Sequence, residues 1–204
     1  LATKTYRSTL REQTSEATKE CVNFILLTMF SDPQVILDSL ELSPESIVAD
    51  FGAGSGFYSV AAGRALASGS GKVYSIDVQK DLLERLKTLA ENQGVRNIEV
   101  IWGDVEAQKG SKLKDASVDW VIIANLLFQV PEKQAVVNEA KRVLKARGRM
   151  LVVDWSESFG GTGPAPSDVV TESAVKVLAA TASLSFEKEI PAGEHHFGLI
   201  FRKV

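Results

Sequence analysis

Ile47-Val48-Ala49-Asp50-Phe51-Gly52-Ala53-Gly54-Ser55-Gly56 decides the fold of this 204-residue chain. An apolar run containing a carboxylate breaks into three glycines spaced G-x-G-x-G, and helical sequence from about Tyr58 to Ala67 follows. Strand, glycine turn and helix in that order bring bare backbone and free helix-terminal N–H groups to one edge of a sheet, where a ligand can approach closely. The alternation continues outward from this loop. Val73 to Ile76 predicts a second strand ending at Asp77, and Leu82, Leu83, Leu86, Leu89 and Ala90 form a helical stripe that Gly94 closes. Ile98 to Trp102 and Val118 to Ile123 are the third and fourth strands, the latter apolar enough for burial on both faces. Pro131 opens a helix whose Val136, Val137, Ala140, Val143 and Leu144 face the core, and Met150 to Val153 is the fifth strand. Strands alternating with helices predict an α/β fold, a doubly wound and mostly parallel sheet in a single domain.

The chain then leaves this rhythm. Trp155 to Ser167, with Gly160, Gly161, Gly163, Pro164 and Pro166, is a connection longer than most, and long loops of this kind are often functional. A helix from about Val169 to Ala182 precedes Leu184 to Ile190, the turn Pro191-Ala192-Gly193-Glu194 and a last strand from His195 to Arg202. Two strands joined by so short a turn must be antiparallel, so the sheet ends in a hairpin. Ahead of the glycine loop, Thr14 to Thr28 and Pro33 to Leu40 predict two helices, the second with Asp32 as its cap. Residues 1–45 are thus expected either to cover the sheet or to form a lid on the ligand site, with the ligand-binding domain over 46–204.

Composition narrows the partners. With 45% hydrophobic and 24% charged residues the chain is an ordinary globular protein, and its net charge of −3 supplies no whole-protein attraction to nucleic acid or to an anionic membrane. Cys21 is the only cysteine, so neither an internal disulfide nor a thiolate zinc cluster can form, no metal site is expected, and a cytoplasmic location is. Cys21 to Phe30, interrupted by Asn23 and Thr28, falls short of the roughly 20 residues that span a bilayer. It also lacks the basic flank and cleavage site of a signal peptide. Because the first residue is Leu1 rather than methionine, native sequence upstream is expected.

Three carboxyls carry the chemical argument. Asp50 stands just before the first glycine, where it would repel a phosphate and suit an ammonium group; the dinucleotide fingerprint also has a different spacing, G-x-G-x-x-G. Asp77, at the end of the second strand, is placed to accept hydrogen bonds from two ribose hydroxyls. Asp104, after Trp102-Gly103, adds a third acid at the carboxyl edge, the edge at which open α/β sheets bind ligands.

With these residues in place the chain resembles the class I S-adenosylmethionine (SAM)-dependent methyltransferases. Val48 to Gly56 is similar to that family's first motif, Val73 to Asp77 to its second, Gly103-Asp104-Val105 to its third and Val118 to Asn125 to its fourth. The run from Glu139 to Asp154 resembles the helix, turn and fifth strand that follow, except that Lys145-Ala146-Arg147-Gly148 stands where relatives commonly carry Lys-Pro-Gly-Gly. The resemblance implies a seven-stranded Rossmann-like sheet of order 3-2-1-4-5-7-6 with strand 7 antiparallel. It implies SAM as cofactor and S-adenosyl-L-homocysteine as product. Gly52, Ala53, Gly54 and Gly56 would pack under the methionine portion with Asp50 near its amine. Asp77 would hold the ribose, Val78 and Gln79 would flank the adenine, Gly103, Asp104 and Val105 would read the adenine edge, and Asn125 would line the site near the sulfonium.

The acceptor is expected to be a small molecule, with no nucleic acid partner and with the oligomeric state left open. After the fourth strand stands Asn125-Leu126-Leu127-Phe128 rather than the Asn/Asp-Pro-Pro-Tyr used on exocyclic base amines, and one cysteine cannot form a multi-cysteine arsenite site. The strand 4 and 5 region resembles small-molecule methyltransferases, including those of quinone biosynthesis. Candidates for contact with the acceptor are His195 and His196, the only histidines, which the hairpin carries to the carboxyl edge, and Asp154, which leaves strand 5 there. Two other classes stay open: a SAM-binding protein without transferase activity, and a nicotinamide-dependent oxidoreductase, which the loop spacing and the lack of a Tyr-x-x-x-Lys pair disfavour.

Overall fold

Strands as apolar as Val118–Ala124 need neighbours on both edges and helices over both faces. The computed structural model, which describes residues 32–40, 42–159 and 163–204, supplies both. The predicted helix Thr14 to Thr28 and Cys21 lie outside the described residues. In chain order the elements are α1 (Pro33–Asp38), β1 (Ile47–Phe51), α2 (Phe57–Ala65), β2 (Lys72–Asp77), α3 (Lys80–Asn92), β3 (Ile98–Trp102), β4 (Val118–Ala124), α4 (Lys133–Val143), β5 (Leu144–Trp155), α5 (Glu172–Thr181), β6 (Leu184–Pro191) and β7 (His196–Lys203). No described helix is long and apolar enough to cross a membrane.

The sheet has the order β3-β2-β1-β4-β5-β7-β6. Strands β1 to β5 are parallel, while β7 is antiparallel to both β5 and β6. Alternation of side chains builds a core on each face. Ala49, Phe51, Val121, Ile123 and Val152 meet α4 and α5 through Val136, Val137, Ala140, Val175 and Ala179. Val48, Trp120, Ile122, Leu151 and Val153 meet α1 and α2 through Ile36, Leu37, Tyr58, Ala61 and Ala62.

Most boundaries, including the start of α4 at Lys133 rather than Pro131, lie within two residues of the sequence expectation, and two differ by three or more. Strand β5 starts at Leu144 rather than Met150, because Leu144 leaves the helix in extended conformation and pairs with Val118. Residues 145–148 then bulge before Arg149 pairs with Trp120, and Arg147 takes a left-handed φ of 64°, so the turn written without the usual Pro-Gly still forms. Helix α5 starts at Glu172 rather than Val169 because the Thr171 hydroxyl accepts from Ala174 N at 3.2 Å and caps it.

The β3–β4 connection is held from below by α4. Glu139, 4% exposed, accepts from Lys109 N, from Ser111 N and Oγ, and from Arg142 Nε at 2.8 Å. Arg142 also pairs with the exposed Asp115. Lys109, Lys112 and Ala116 all take positive φ, so this connection depends on its anchor to keep its path. Removing one member of a buried charged network leaves the rest unpaired, which costs about 3 kcal/mol or more, whereas exposed pairs contribute little. Glu139→Ala is therefore expected to lower stability by about 3 kcal/mol in urea denaturation, and Asp115→Ala to leave the midpoint unchanged.

Candidate functional site

The three glycines of the loop serve different ends. A Cβ on Gly52 would lie 2.7 Å from Leu126 Cδ1, and one on Gly56 would lie 2.4 Å from Leu86 Cγ. Both positions let neighbouring elements close in, Gly56 doing so at the left-handed start of α2. At Gly54, φ +54°, an added Cβ would meet only Gly52 O, at 3.9 Å. That position is uncrowded and borders the cleft around Asp77.

Asp77 ties this loop to the next helix. Its Oδ2 accepts from Gly54 N at 2.9 Å and its Oδ1 from Gln79 N at 2.8 Å. Each carboxylate oxygen has a second lone pair, so both can still accept a ligand hydroxyl. Around it opens a cleft of about 310 Å³ whose wall includes Gly52, Gly54, Asp77, Val78, Gln79, Gly103, Asp104 and Val105. Asp104 folds back to accept from Glu106 N at 2.9 Å. Gly103 lets the β3–β4 connection cross itself, since a Cβ there would stand 2.4 Å from Gly110 O. The exposed Trp102 donates from Nε1 to Val78 O at 3.0 Å, with Lys80 Nζ 4.0 Å from the centre of its ring.

Ile76, Leu82, Glu106, Leu126, Gln129 and Val130 also line the cleft, and sequence reasoning missed them. Leu82 was visible only as part of the α3 stripe. Leu126, Gln129 and Val130 come from the turn after β4, where Gln129 Nε2 donates to Asn125 O at 2.6 Å and pulls the turn inward.

Asp50, Ala53, Gly56 and Asn125 stand outside this wall. Asp50 is 1% exposed, and its Oδ2 accepts at 2.6 Å from Ser59 Oγ, which also contacts Ser75 Oγ at 2.7 Å. The alternation of β1 puts its carboxyl on the α2 face of the sheet, beneath the loop. Burial pushes that carboxyl up to about 7; the Ser59 hydrogen bond pulls the other way, and the charge of Asp77 adds to the rise. Ala53 donates its N–H to Ile76 O at 3.0 Å. Asn125, at φ 52°, donates its N–H to Val153 O, and its Oδ1 is buried without a partner.

Asp154 is fully buried, and its carboxylate accepts from Leu127 N at 3.0 Å and Trp155 N at 2.9 Å. It thereby holds the turn that carries Leu126. Burial raises it to about 6, against the lowering effect of the backbone donors Trp155, Leu127 and Phe128. The hairpin does turn at the carboxyl edge, with His196 paired to Trp155. His195 and His196 are 9% and 7% exposed. His195 Nδ1 lies 2.8 Å from Glu157 Oε1, and its ring stacks on Phe159. His196 packs against Trp155, and burial first, then the neighbouring His195, lowers it to about 4. Among the described residues no group of three or more His, Cys, Asp or Glu could hold a metal ion.

A seven-stranded sheet of this order, with a glycine loop and acids ending β2 and beginning the β3–β4 connection, defines the class I methyltransferase architecture. A family model described as "Methyltransferase domain" matches residues 42–191, and the chain belongs to this family, in its class I SAM-dependent branch. It is 34% identical to the ubiquinone/menaquinone biosynthesis C-methyltransferase UbiE of Acidiphilium cryptum, over 55% of this chain and 43% of that protein. It is 27% identical to the arsenite methyltransferase of Halobacterium salinarum, over 63% of this chain and 31% of that protein. The chain thus spans less than half the length of these two curated relatives. A crystal structure of a SAM-dependent methyltransferase from Aquifex aeolicus superposes with a TM-score of 0.77 at 27% identity, covering 88% of this chain and 93% of that one.

The residues present fit the family's cofactor, SAM, because the uncrowded Gly54 backbone borders the cleft and Asp77 has acceptor capacity left inside it. The raised value of Asp50 also has a stability consequence. Below its ordinary value of 3.8 the carboxyl is neutral in both states. As pH rises toward about 7 the unfolded chain ionises first, so stability is lost across that window and the loss is constant above it. Asp50→Asn lacks this group, so its stability relative to the parent is expected to climb between pH 4 and pH 7 in denaturant titrations; a pH-independent difference would contradict the assignment.

Proposed function

We propose that the chain transfers the sulfonium methyl group of SAM to a small-molecule acceptor by in-line displacement, in the cytoplasm, with S-adenosyl-L-homocysteine as product. The observation that carries this is the Asp77 carboxylate, which is bound to Gly54 N and Gln79 N and still borders the cleft. In this reading Asp77 accepts from the ribose hydroxyls and Val78, Gly103, Asp104 and Val105 enclose the adenine. The Gly52 and Gly54 backbone lies beneath the methionine portion, and Asn125, with its unpartnered Oδ1, stands at the reacting end. SAM supplies an activated methyl group when bound, so the protein's tasks are orientation and exclusion of water.

The likeness to UbiE favours a small acceptor over a macromolecule. Charged hydrogen bonds of the Asp77 type contribute about 1.5–3 kcal/mol. Asp77→Ala is expected to weaken SAM binding at least about tenfold by titration calorimetry and to lower methyl transfer from labelled SAM to metabolite extracts in step. SAM binding in the parent chain with no label transferred to any extract would favour a SAM-binding protein without transferase activity.

A further inference from the structure

Among the described residues, the buried side-chain polar atoms without a hydrogen-bond partner are Asn125 Oδ1, His195 Nε2, and Nδ1 and Nε2 of His196. Buried polar atoms are nearly always paired, so a group of exceptions calls for an explanation. All of these lie at the carboxyl edge. Asn125 follows β4, and the hairpin tip adjoins β7, with β5 between them. Two strand spacings, about 10 Å, separate the two lines of chain. A small acceptor over the end of β5 would lie between them.

The two histidines differ in what holds them. The Glu157 carboxylate takes the Nδ1 side of His195, 2.8 Å away, from a position 38 residues earlier in the chain. Phe159 stacks on the ring at 3.8 Å between centroids and 19° between planes. The His195 backbone is fixed as well, its O accepting from Ser156 N at 2.9 Å. Ring plane and tautomer are thus both set, with the proton on Nδ1 and the lone pair on Nε2. His196 has the Trp155 indole beside it at 4.3 Å and no carboxylate on either nitrogen.

We propose that Glu157 and His195 are the proton-accepting pair of the acceptor site, His195 Nε2 being the base, and that the acceptor is a phenol methylated at its hydroxyl oxygen. This rests on the transfer activity proposed above. An imidazole base is matched to a proton of pKa near 10, as in a phenol, far better than to that of an aliphatic alcohol. Trp155 and Phe159 give the edge an aromatic character suited to such a ring. Nε2 takes the hydroxyl proton as the oxygen lone pair forms the new O–CH3 bond; the S–CH3 bonding pair stays on sulfur, leaving a neutral thioether. Glu157 stabilises the imidazolium until the proton passes to solvent.

The test uses the whole chain with methyl-labelled SAM and a panel of catechol, 4-hydroxybenzoate and a flavonoid, alongside their methyl ethers and matched aliphatic alcohols. At least one phenol is expected to take label, and the ethers and alcohols none. His195→Gln should lower kcat by about 10²-fold or more, with SAM affinity by calorimetry held within about twofold of the parent. Long-range 15N NMR should show His195 protonated on Nδ1 in the parent and a mixed tautomer in Glu157→Gln, a readout that needs no acceptor and still serves if His195→Gln fails to fold. SAM binding without transfer to any phenol, unchanged kcat in a folded His195→Gln, or an Nε2-protonated His195 in the parent would each overturn the inference. Failure of the parent to bind SAM at all would instead overturn the transfer proposal, and this inference with it.

Discussion

One carboxylate holds the walls of the cleft together. Asp77 ends β2 and bridges Gly54 N in the loop after β1 to Gln79 N at the start of α3. The glycine loop therefore has its shape only when β1 and β2 are paired in parallel, with Asp50 opposite Ser75 and Phe51 opposite Ile76. Backbone bonds from Gly52 and Ala53 to Ile76 O repeat the same dependence. A ligand hydroxyl that joins Asp77 would enter a network already ordered by the fold, which limits the entropy that binding must overcome.

The other half of the carboxyl edge is organised by Asp154 in a similar way. Its carboxylate gathers Leu127 N and Trp155 N, so the turn after β4 is set by the end of β5. That turn brings Leu126 against Gly52 and Gln129 and Val130 to the cleft. Two buried acids, each with an elevated proton affinity, thus support the two sides of one edge without forming its ligand-facing surface. Function-bearing edges commonly carry such costs, which the apolar cores on both faces of the sheet offset.

Much of the site was legible because it is local. Gly52, Gly54, Asp77, Val78, Gln79, Gly103, Asp104 and Val105, which line the cleft, sit at or just after strand ends, and a strand end is readable from where the apolar run stops. Leu126, Gln129 and Val130 were not legible, since no periodicity marks a turn shaped by a carboxylate from another strand. The start of β5 was missed for a related reason: Leu144 fits the α4 stripe and becomes a strand residue only because Val118 is there to pair with it.

The sequence by itself determined the order of elements, the position of the glycine loop and the hairpin at the end of the sheet. These follow from side-chain period, from glycine's access to positive φ and from the shortness of the last turn, all properties of a few adjacent residues. Only the tertiary structure decided that a side chain at Gly52 or Gly56 would collide with Leu126 or Leu86 while one at Gly54 would not, that Asp50 turns under the loop toward Ser59, and that His195 rather than His196 has a carboxylate beside it. Each of these depends on atoms from distant parts of the chain, whose approach is fixed by strand register and by which face of the sheet a helix covers.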